Sequence, residues 1–255
     1  MSANSLSFAG LSIISRHAPV DRDALSVATA RLASALDLRQ ARLSWTAKKR
    51  ARRAFKESLL HQAIRDPAME SLSLSDDERL WYINLQFGSL SRGDDAQRRW
   101  QTVIAHASVT TAMLSFAADV GAQMGLVSAC VAGYRDHWYA RHEGTLVEIE
   151  GHVEPPNDRR LGEDAMLSHR AQTRLRRLYP ITIIGPELWA QLPPMPRFDP
   201  MPTVEDFGDA KLVRAWPTLC EPRDPVFLRA NRELRAWLWP YTIQNPADHV
   251  DQDPT

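Results

Sequence analysis

Short apolar runs alternate with amphipathic stretches along this chain, and that alternation predicts strands interleaved with helices. The stretch LSFAGLSII predicts a first strand, because no Lys or Arg precedes it as in a signal peptide. The next segment predicts a helix capped by Asp21 or Asp23. Its apolar face is formed by Leu25, Ala28, Leu32 and Leu36.

A helix and a hairpin are predicted next. Residues 48–64 predict a helix after a short strand at RLSW, since apolar residues recur every four positions. These residues are Ala51, Phe55, Leu59 and Ala63. The segment MESLSLSDDERLWYINLQF predicts a hairpin that turns at Ser75-Asp76-Asp77, because apolar side chains alternate from Trp81 to Phe87. Residues 97–107 fit a helix and a strand equally well.

The apolar stretch at residues 109–131 predicts a buried helix followed by a buried strand. It contains Asp119 and Gln123. A charge at the centre of a bilayer costs about 2.5–3.5 kcal/mol on insertion scales, so we expect no membrane span here. We expect the helix to end near Gly125 and the strand to cover residues 126–131.

The stretch RRLYPITIIGPELWAQLPPMP combines a strand at residues 181–184 with a break at Gly185-Pro186. Such a break can deliver a nucleophile or a phosphate loop, but neither motif is present. Pro186 also lacks the N–H that would donate to a phosphate. We therefore expect a structural corner with one helical turn, packed by Leu188, Trp189 and Leu192. A last amphipathic helix, capped by Asp224, is predicted to end before Pro240.

The charges balance, because the 255 residues include 31 basic and 31 acidic side chains. Any electrostatic partner must therefore be matched by a local patch. Residues 39–56 hold eight Lys and Arg residues and no acid. This segment could bind nucleic acid, but we favour the solvated face of an amphipathic helix.

Candidate metal ligands do not form a site in the sequence. His137 and His142 would point about 140° apart around a helix. His152 and Glu154 have no third ligand nearby. The two cysteines adjoin apolar residues, as core thiols do in a reducing cytosol. No nucleophile, base and orienting group have a recognisable spacing, so we expect no metal, no cofactor and no enzyme.

Three motifs follow one another in the C-terminal half: YPITIIGPELWAQLPP, FGDAKLVRAWP and DPVFLRANRELRAWLWPY. Their order resembles the type VI secretion immunity protein family. In that family a strand enters a Gly-containing corner and a leucine-bearing turn, matched here by residues 181–185 and 188–192. A strand ending in Trp-Pro then precedes a closing helix, matched by residues 213–217 and by Trp239-Pro240.

The chain departs from the family pattern in two places. Pro193-Pro194 stands where the family has a glycine pair, and residues 221–224 replace a Gly-Asp before the final helix. The resemblance implies a cytoplasmic inhibitor of a toxin delivered by neighbouring cells, often a nuclease of the restriction-endonuclease-like class.

Acidic groups beside aromatic residues are our candidates for the surface that binds such a toxin. A nuclease has a basic surface around its active site, and interface hot spots favour Trp and Tyr. The candidates are Asp76, Asp77, Glu78, Trp138, Tyr139, Glu143, Glu148, Glu150 and Glu154. The alternative is that these acids are merely solvated and that Trp138 belongs to the core.

The whole pattern predicts one α/β domain over residues 1–241, with a flexible tail at residues 242–255. Its sheet is expected to be mixed or mostly antiparallel and packed by amphipathic helices, because no linker divides the alternating elements.

Overall fold

Strands and helices alternate along the chain in the computed structural model. The structure describes residues 8–38, 41–47, 50–76, 81–88, 99–133, 148–149, 152–153, 180–199, 201–215, 219, 234, 237 and 238. The strands are β1 (Phe8–Ser15), β2 (Arg42–Thr46), β3 (Arg50–Ala54), β4 (Ser71–Asp76), β5 (Trp81–Gln86), β6 (Arg99–His106), β7 (Leu126–Gly133), β8 (Glu148–Ile149), β9 (His152–Val153), β10 (Ile181–Ile184), β11 (Thr203–Phe207) and β12 (Ala210–Arg214). The helices are α1 (Arg22–Ala35), α2 (Glu57–Arg65), α3 (Thr110–Met124) and the short α4 (Pro186–Trp189).

Ten of these strands form one sheet, in the order β11-β12-β10-β7-β1-β6-β5-β4-β2-β3. Every neighbouring pair is antiparallel. The first strand of the chain lies inside the sheet, because β1 pairs with β6 on one side and β7 on the other. The predicted α/β class is confirmed, and the sheet is antiparallel rather than mixed.

The long helices pack together on the sheet. Helix α1 contacts α2 and α3, and α3 contacts β1 and β7. Asp21 is the N-cap of α1, because its Oδ1 accepts the backbone N–H of Asp23 at 2.8 Å and of Ala24 at 3.0 Å. Helix α3 ends at Gly125 as predicted, where a φ of 64° favours glycine. No helix in the described part of the chain is long and apolar enough to cross a membrane.

The predicted corner after β10 is present, with one helical turn at Pro186–Trp189, and it packs tightly against β7. A Cβ at Gly185 would lie 2.2 Å from the carbonyl oxygen of Leu126 and 2.7 Å from that of Val127. The helical turn that follows places Leu188 in a second apolar cluster. Its other buried members are Ile184, Phe198, Val213, Ala215, Leu234 and Leu238. The packing of Leu188, Trp189 and Leu192 is thereby confirmed.

This second cluster lies on the opposite side of the sheet from the long helices. Ile183 and Leu212 belong to the main core, which includes the buried faces of α1 and α3. Their chain neighbours Ile184 and Val213 must point to the other face, since side chains alternate along a strand. The sheet is therefore covered on both faces at its β10–β12 end.

Within the basic stretch of residues 39–56, the described residues 50–56 do not form the helix that their spacing predicted. Instead, β3 covers Arg50–Ala54 and α2 begins at Glu57. A spacing of four residues places side chains on one side of a helix, but also on one side of a strand, whose period is two. Ala51 and Phe55 therefore fit a strand as well as a helix, and the helix prediction was wrong for residues 50–56.

The pairing of β4 with β5 is confirmed, but two of the residues predicted for the turn lie in β4. Ser75 pairs with Tyr82 and Asp76 with Trp81, so Ser75 and Asp76 belong to the strand. Residues 97–107, which fitted either element, contain strand β6.

Candidate interaction surface

From β2 to β10, two adjacent rows of paired residues lie on opposite faces of the sheet and differ in polarity. Residues paired across neighbouring strands carry their side chains on the same face. One such row is apolar and at most 5% exposed: Leu43, Leu74, Ile83, Val103, Leu11, Val131 and Ile181. The adjacent row, one residue further along each strand, faces the other way. This polar row consists of Ser44, Ser73, Asn84, Thr102, Ser12, Cys130 and Thr182.

Accessibility changes along the polar row. Thr102 and Thr182 are only 2% and 1% exposed, whereas Ser44, Ser73 and Asn84 are half-buried. A second row beside these three consists of Thr46, Ser71 and Gln86, which are half-buried too. We refer to Ser44, Thr46, Ser71, Ser73, Asn84 and Gln86 as the polar patch. Its hydroxyl and amide groups both donate and accept hydrogen bonds, and it contains no charged side chain.

Four exposed cations lie on the β2–β3 hairpin or directly after it and form what we term the basic edge: Arg42, Arg52, Arg53 and Lys56. Arg52 pairs with Ser44, and Arg42 lies two residues before Ser44 on β2. Both side chains therefore lie on the same face as the polar patch. None of the four forms an ion pair with any residue that the structure describes. Arg42, Arg52 and Arg53 belong to the edge hairpin and Lys56 is the N-cap residue of α2, so these charges do not form the solvated helix face that we favoured from the sequence.

The opposite edge of the sheet is different, because its charges are matched. On the β11–β12 hairpin, the Arg214 Nε lies 3.1 Å from the Glu205 Oε1. Lys211 pairs with Asp206 on the same hairpin. The basic edge thus carries positive charge that the described part of the fold leaves uncompensated.

The acidic surface predicted from the sequence is only partly within the described residues. Asp76 lies in β4 and is 7% exposed, so its carboxylate is not the solvated turn acid that we expected. Glu148 begins β8. The other candidates lie outside the described residues: Asp77, Glu78, Trp138, Tyr139, Glu143, Glu150 and Glu154.

One trio has the residue types of a catalytic triad. The Nδ1 of His61 lies 2.8 Å from the Ser26 Oγ, and its Nε2 lies 3.4 Å from the Glu57 Oε1. Ser26 is fully buried at 0% exposure, and its hydroxyl donates to the Asp23 carbonyl at 2.8 Å. A nucleophile must be reachable by its substrate. The trio therefore links α1 to α2 and does not form an active site.

Neither metal ligands nor cysteines form a second candidate functional site among the described residues. In the portion of the chain covered by the structure, no three His, Cys, Asp or Glu side chains come together. Cys130 pairs with Ser12 in the polar row and is half-buried, so it does not lie in the core where we expected it. Cys220, the other expected core thiol, lies outside the described residues.

The polar patch is encoded by the polar residues that alternate with the apolar ones in β4 and β5, and the sequence prediction used only the apolar residues. In SLSLS and INLQ the apolar residues predicted the buried face, and we gave no role to the serines and amides between them. The same alternation fixes both faces of a strand. The sequence does not show which strands lie next to each other. The rows can therefore be identified only from the observed order of the strands in the sheet.

Comparisons with known proteins bear on the fold. No protein-family model and no curated protein matches the chain. Among solved structures, the fold is similar to that of the Pseudomonas aeruginosa T6SS protein PA0821, with a TM-score of 0.57. The similarity covers 93% of this chain and 73% of that one, at 11% sequence identity. At this identity the two chains are shown to share a fold.

Proposed function

We propose that this chain acts in type VI secretion as an immunity protein, which binds a toxin and neutralises it by covering its active surface. The observation that carries the proposal is the fold shared with the Pseudomonas T6SS protein over 93% of this chain. The motif order that resembles the type VI immunity family supports the same role. The first two of those motifs fall on β10, α4 and β12, which build one end of the sheet. The third motif, with the last helix predicted from Asp224, lies almost wholly outside the described residues.

The described surface suits recognition rather than chemistry. The polar patch offers groups that donate and accept hydrogen bonds, and the basic edge adds charge. Such groups give an interface its specificity and its association rate. The triad-like trio found among the described residues is closed to substrate, because Ser26 is buried. We therefore propose a binding protein without enzymatic activity or cofactor.

The toxin on this proposal is a nuclease, and the complex forms in the cytoplasm. Acidic residues would face the basic surface around the nuclease active site. Asp77, Glu78 and the acids from Glu143 to Glu154 remain our candidates for that contact. Asp76 is excluded from this set, because burial removes its carboxylate from the surface.

Co-expression with the neighbouring effector gene tests this function. We expect cells to survive and the two proteins to co-purify. Reversal of Glu148, Glu150 and Glu154 to Lys should weaken the complex while the fold persists, since exposed charges change stability by less than about 0.5 kcal/mol each. If cells die and no complex forms with the parent chain, the immunity proposal fails. If the parent protects and the triple variant protects equally, only the acidic contact is wrong.

A second candidate function is nucleic-acid binding through residues 39–56. The observation in its favour is that Arg42, Arg52, Arg53 and Lys56 are exposed and lie on a sheet edge rather than on a helix. Binding through phosphates would fall steeply with salt. Reversing Arg52 and Arg53 to Glu should abolish DNA binding if this function is correct. Salt-independent or absent binding rejects it.

A further inference from the structure

Among the described strands, β3 lies at one edge of the sheet, and the ladder geometry shows which of its backbone groups face outward. The N–H of Phe55 donates to the carbonyl of Ala41 at 2.8 Å. Hydrogen-bonded and non-hydrogen-bonded pairs alternate along an antiparallel ladder. The next pair, Arg42 with Ala54, is therefore not hydrogen-bonded, and the N–H and C=O groups of Ala54 and Arg52 point away from β2.

These outward groups are available to another chain. Arg52 and Ala54 are both exposed. Ala54 has no outward hydrogen bond within the described residues, and the Arg52 carbonyl accepts only a long 3.4 Å bond from the Arg53 guanidinium. A row of open donors and acceptors on an edge strand is a template for one more strand.

The charges on this edge select the chemistry of the added strand. Arg52 flanks the polar patch, and Arg53 points to the opposite face of β3, so both faces of an added strand would meet a cation. Like charges directly opposite each other destabilise a ladder, which disfavours pairing with the β3 of a second copy. Opposite charges in the same positions stabilise it.

We propose that β3 accepts an acidic extended segment of a partner protein as an additional strand of the sheet. The partner's backbone would pair with Arg52 and Ala54, and its acidic side chains would pair with the basic edge. The identification of that partner with the toxin rests on the proposed function. The docking edge itself follows from the ladder and the charges.

Nucleic acid fits this edge less well than a peptide strand does. The outward groups of an edge strand alternate between N–H donors and C=O acceptors. A phosphate backbone offers acceptors, which would pair with the donors but leave the carbonyls facing negative charge. A peptide strand offers both kinds of group in the matching alternation.

The test uses the purified full-length chain and a fluorescent peptide of alternating Glu and Val, with a Lys-Val peptide and single-stranded oligothymidine as comparisons. We expect the Glu-Val peptide to bind at least about ten-fold more tightly than the Lys-Val peptide. Failure of the Glu-Val peptide to bind overturns the proposal. Tighter binding of oligothymidine, unaffected by changes to the β3 backbone, also overturns it in favour of the nucleic-acid function.

Two pairs of variants separate backbone pairing from charge. Ala54→Pro removes an outward N–H, which an edge strand tolerates, and should weaken peptide binding at least about ten-fold. Val204→Pro makes the same change on the opposite edge strand, β11, and should leave binding unchanged. Arg52→Glu should weaken binding about as much as Ala54→Pro, whereas Arg52→Lys should stay within about two-fold of the parent. Equal binding by Ala54→Pro, Arg52→Glu and the parent contradicts the proposal.

The same variants distinguish this proposal from the function on which it rests. If the parent binds the acidic peptide but neither binds nor neutralises the neighbouring effector, the toxin assignment fails and the docking edge stands. If the parent binds the effector and both Ala54→Pro and Arg52→Glu bind it equally well, the docking edge fails and the function stands.

Discussion

At the scale of single residues, Gly185 is fixed by the backbone that it touches. A Cβ there would lie 2.2 Å from the carbonyl oxygen of Leu126, and that backbone belongs to β7 and cannot yield as a flexible side chain would. We expect Gly185→Ala to lower the free energy of unfolding by at least about 2 kcal/mol. Gly88→Ala is the control, because its nearest atoms lie 3.8 Å away, and it should change stability by less than about 1 kcal/mol. Urea denaturation of both variants measures the difference, and equal stabilities would contradict the packing described.

Arg22 ties the start of α1 to the end of α2. Its Nη1 donates to the carbonyls of Ile64 at 2.9 Å and Asp66 at 2.8 Å, and the guanidinium lies 5.3 Å from the Phe87 ring centroid. Burial lowers the pKa of Arg22, and the charge of Asp66 opposes that shift. We expect Arg22→Ala to lower the free energy of unfolding by about 1.5–3 kcal/mol.

Arg22→Lys tests the geometry of this link, because Lys keeps the charge but loses the planar fork of donors. Its loss of stability in urea denaturation should be a large part of that seen for Arg22→Ala. A Lys variant as stable as the parent would show that charge alone stabilises the junction.

At the scale of elements, packing on the sheet stabilises α3. Phe116 lies on the buried face of α3 and is 1% exposed. We expect Phe116→Ala to lower the free energy of unfolding by about 3–5 kcal/mol. Val27→Ala on α1 is the control, since Val27 is 48% exposed, and it should stay within about 0.5 kcal/mol of the parent. Thermal unfolding would compare the two, and similar losses would place α3 away from the core.

Element types were predictable where one hydrophobic period stood out. Local residues predicted the capped helix α1 and the corner at Gly185. They also predicted that α3 ends at Gly125 and that β7 follows it. The segment from Arg50 to Phe55 did not, because its four-residue spacing satisfies both the helix and the strand period and its strand is stabilised by pairing with β2. The polar patch and the basic edge depend on which strands adjoin, and a local pattern does not encode that order.

At the scale of the whole molecule, the sheet joins the two halves of the sequence through β7 and β10. The four residues of β10 are all buried, and each pairs with a residue of β7. If a protease site inserted after Arg160 is cut, we therefore expect the two fragments to co-elute under native conditions. They should separate only in denaturant. Fragments that separate in native buffer would contradict a continuous sheet.

The central claim, that this chain neutralises a toxin by covering its active surface, is tested most directly by titration. The purified chain would be added to the toxin domain of the neighbouring effector, and the domain's nuclease activity measured at each molar ratio. The account predicts a linear loss of activity that reaches zero at a fixed ratio, as tight occlusion requires. Full activity in the presence of excess chain would contradict it.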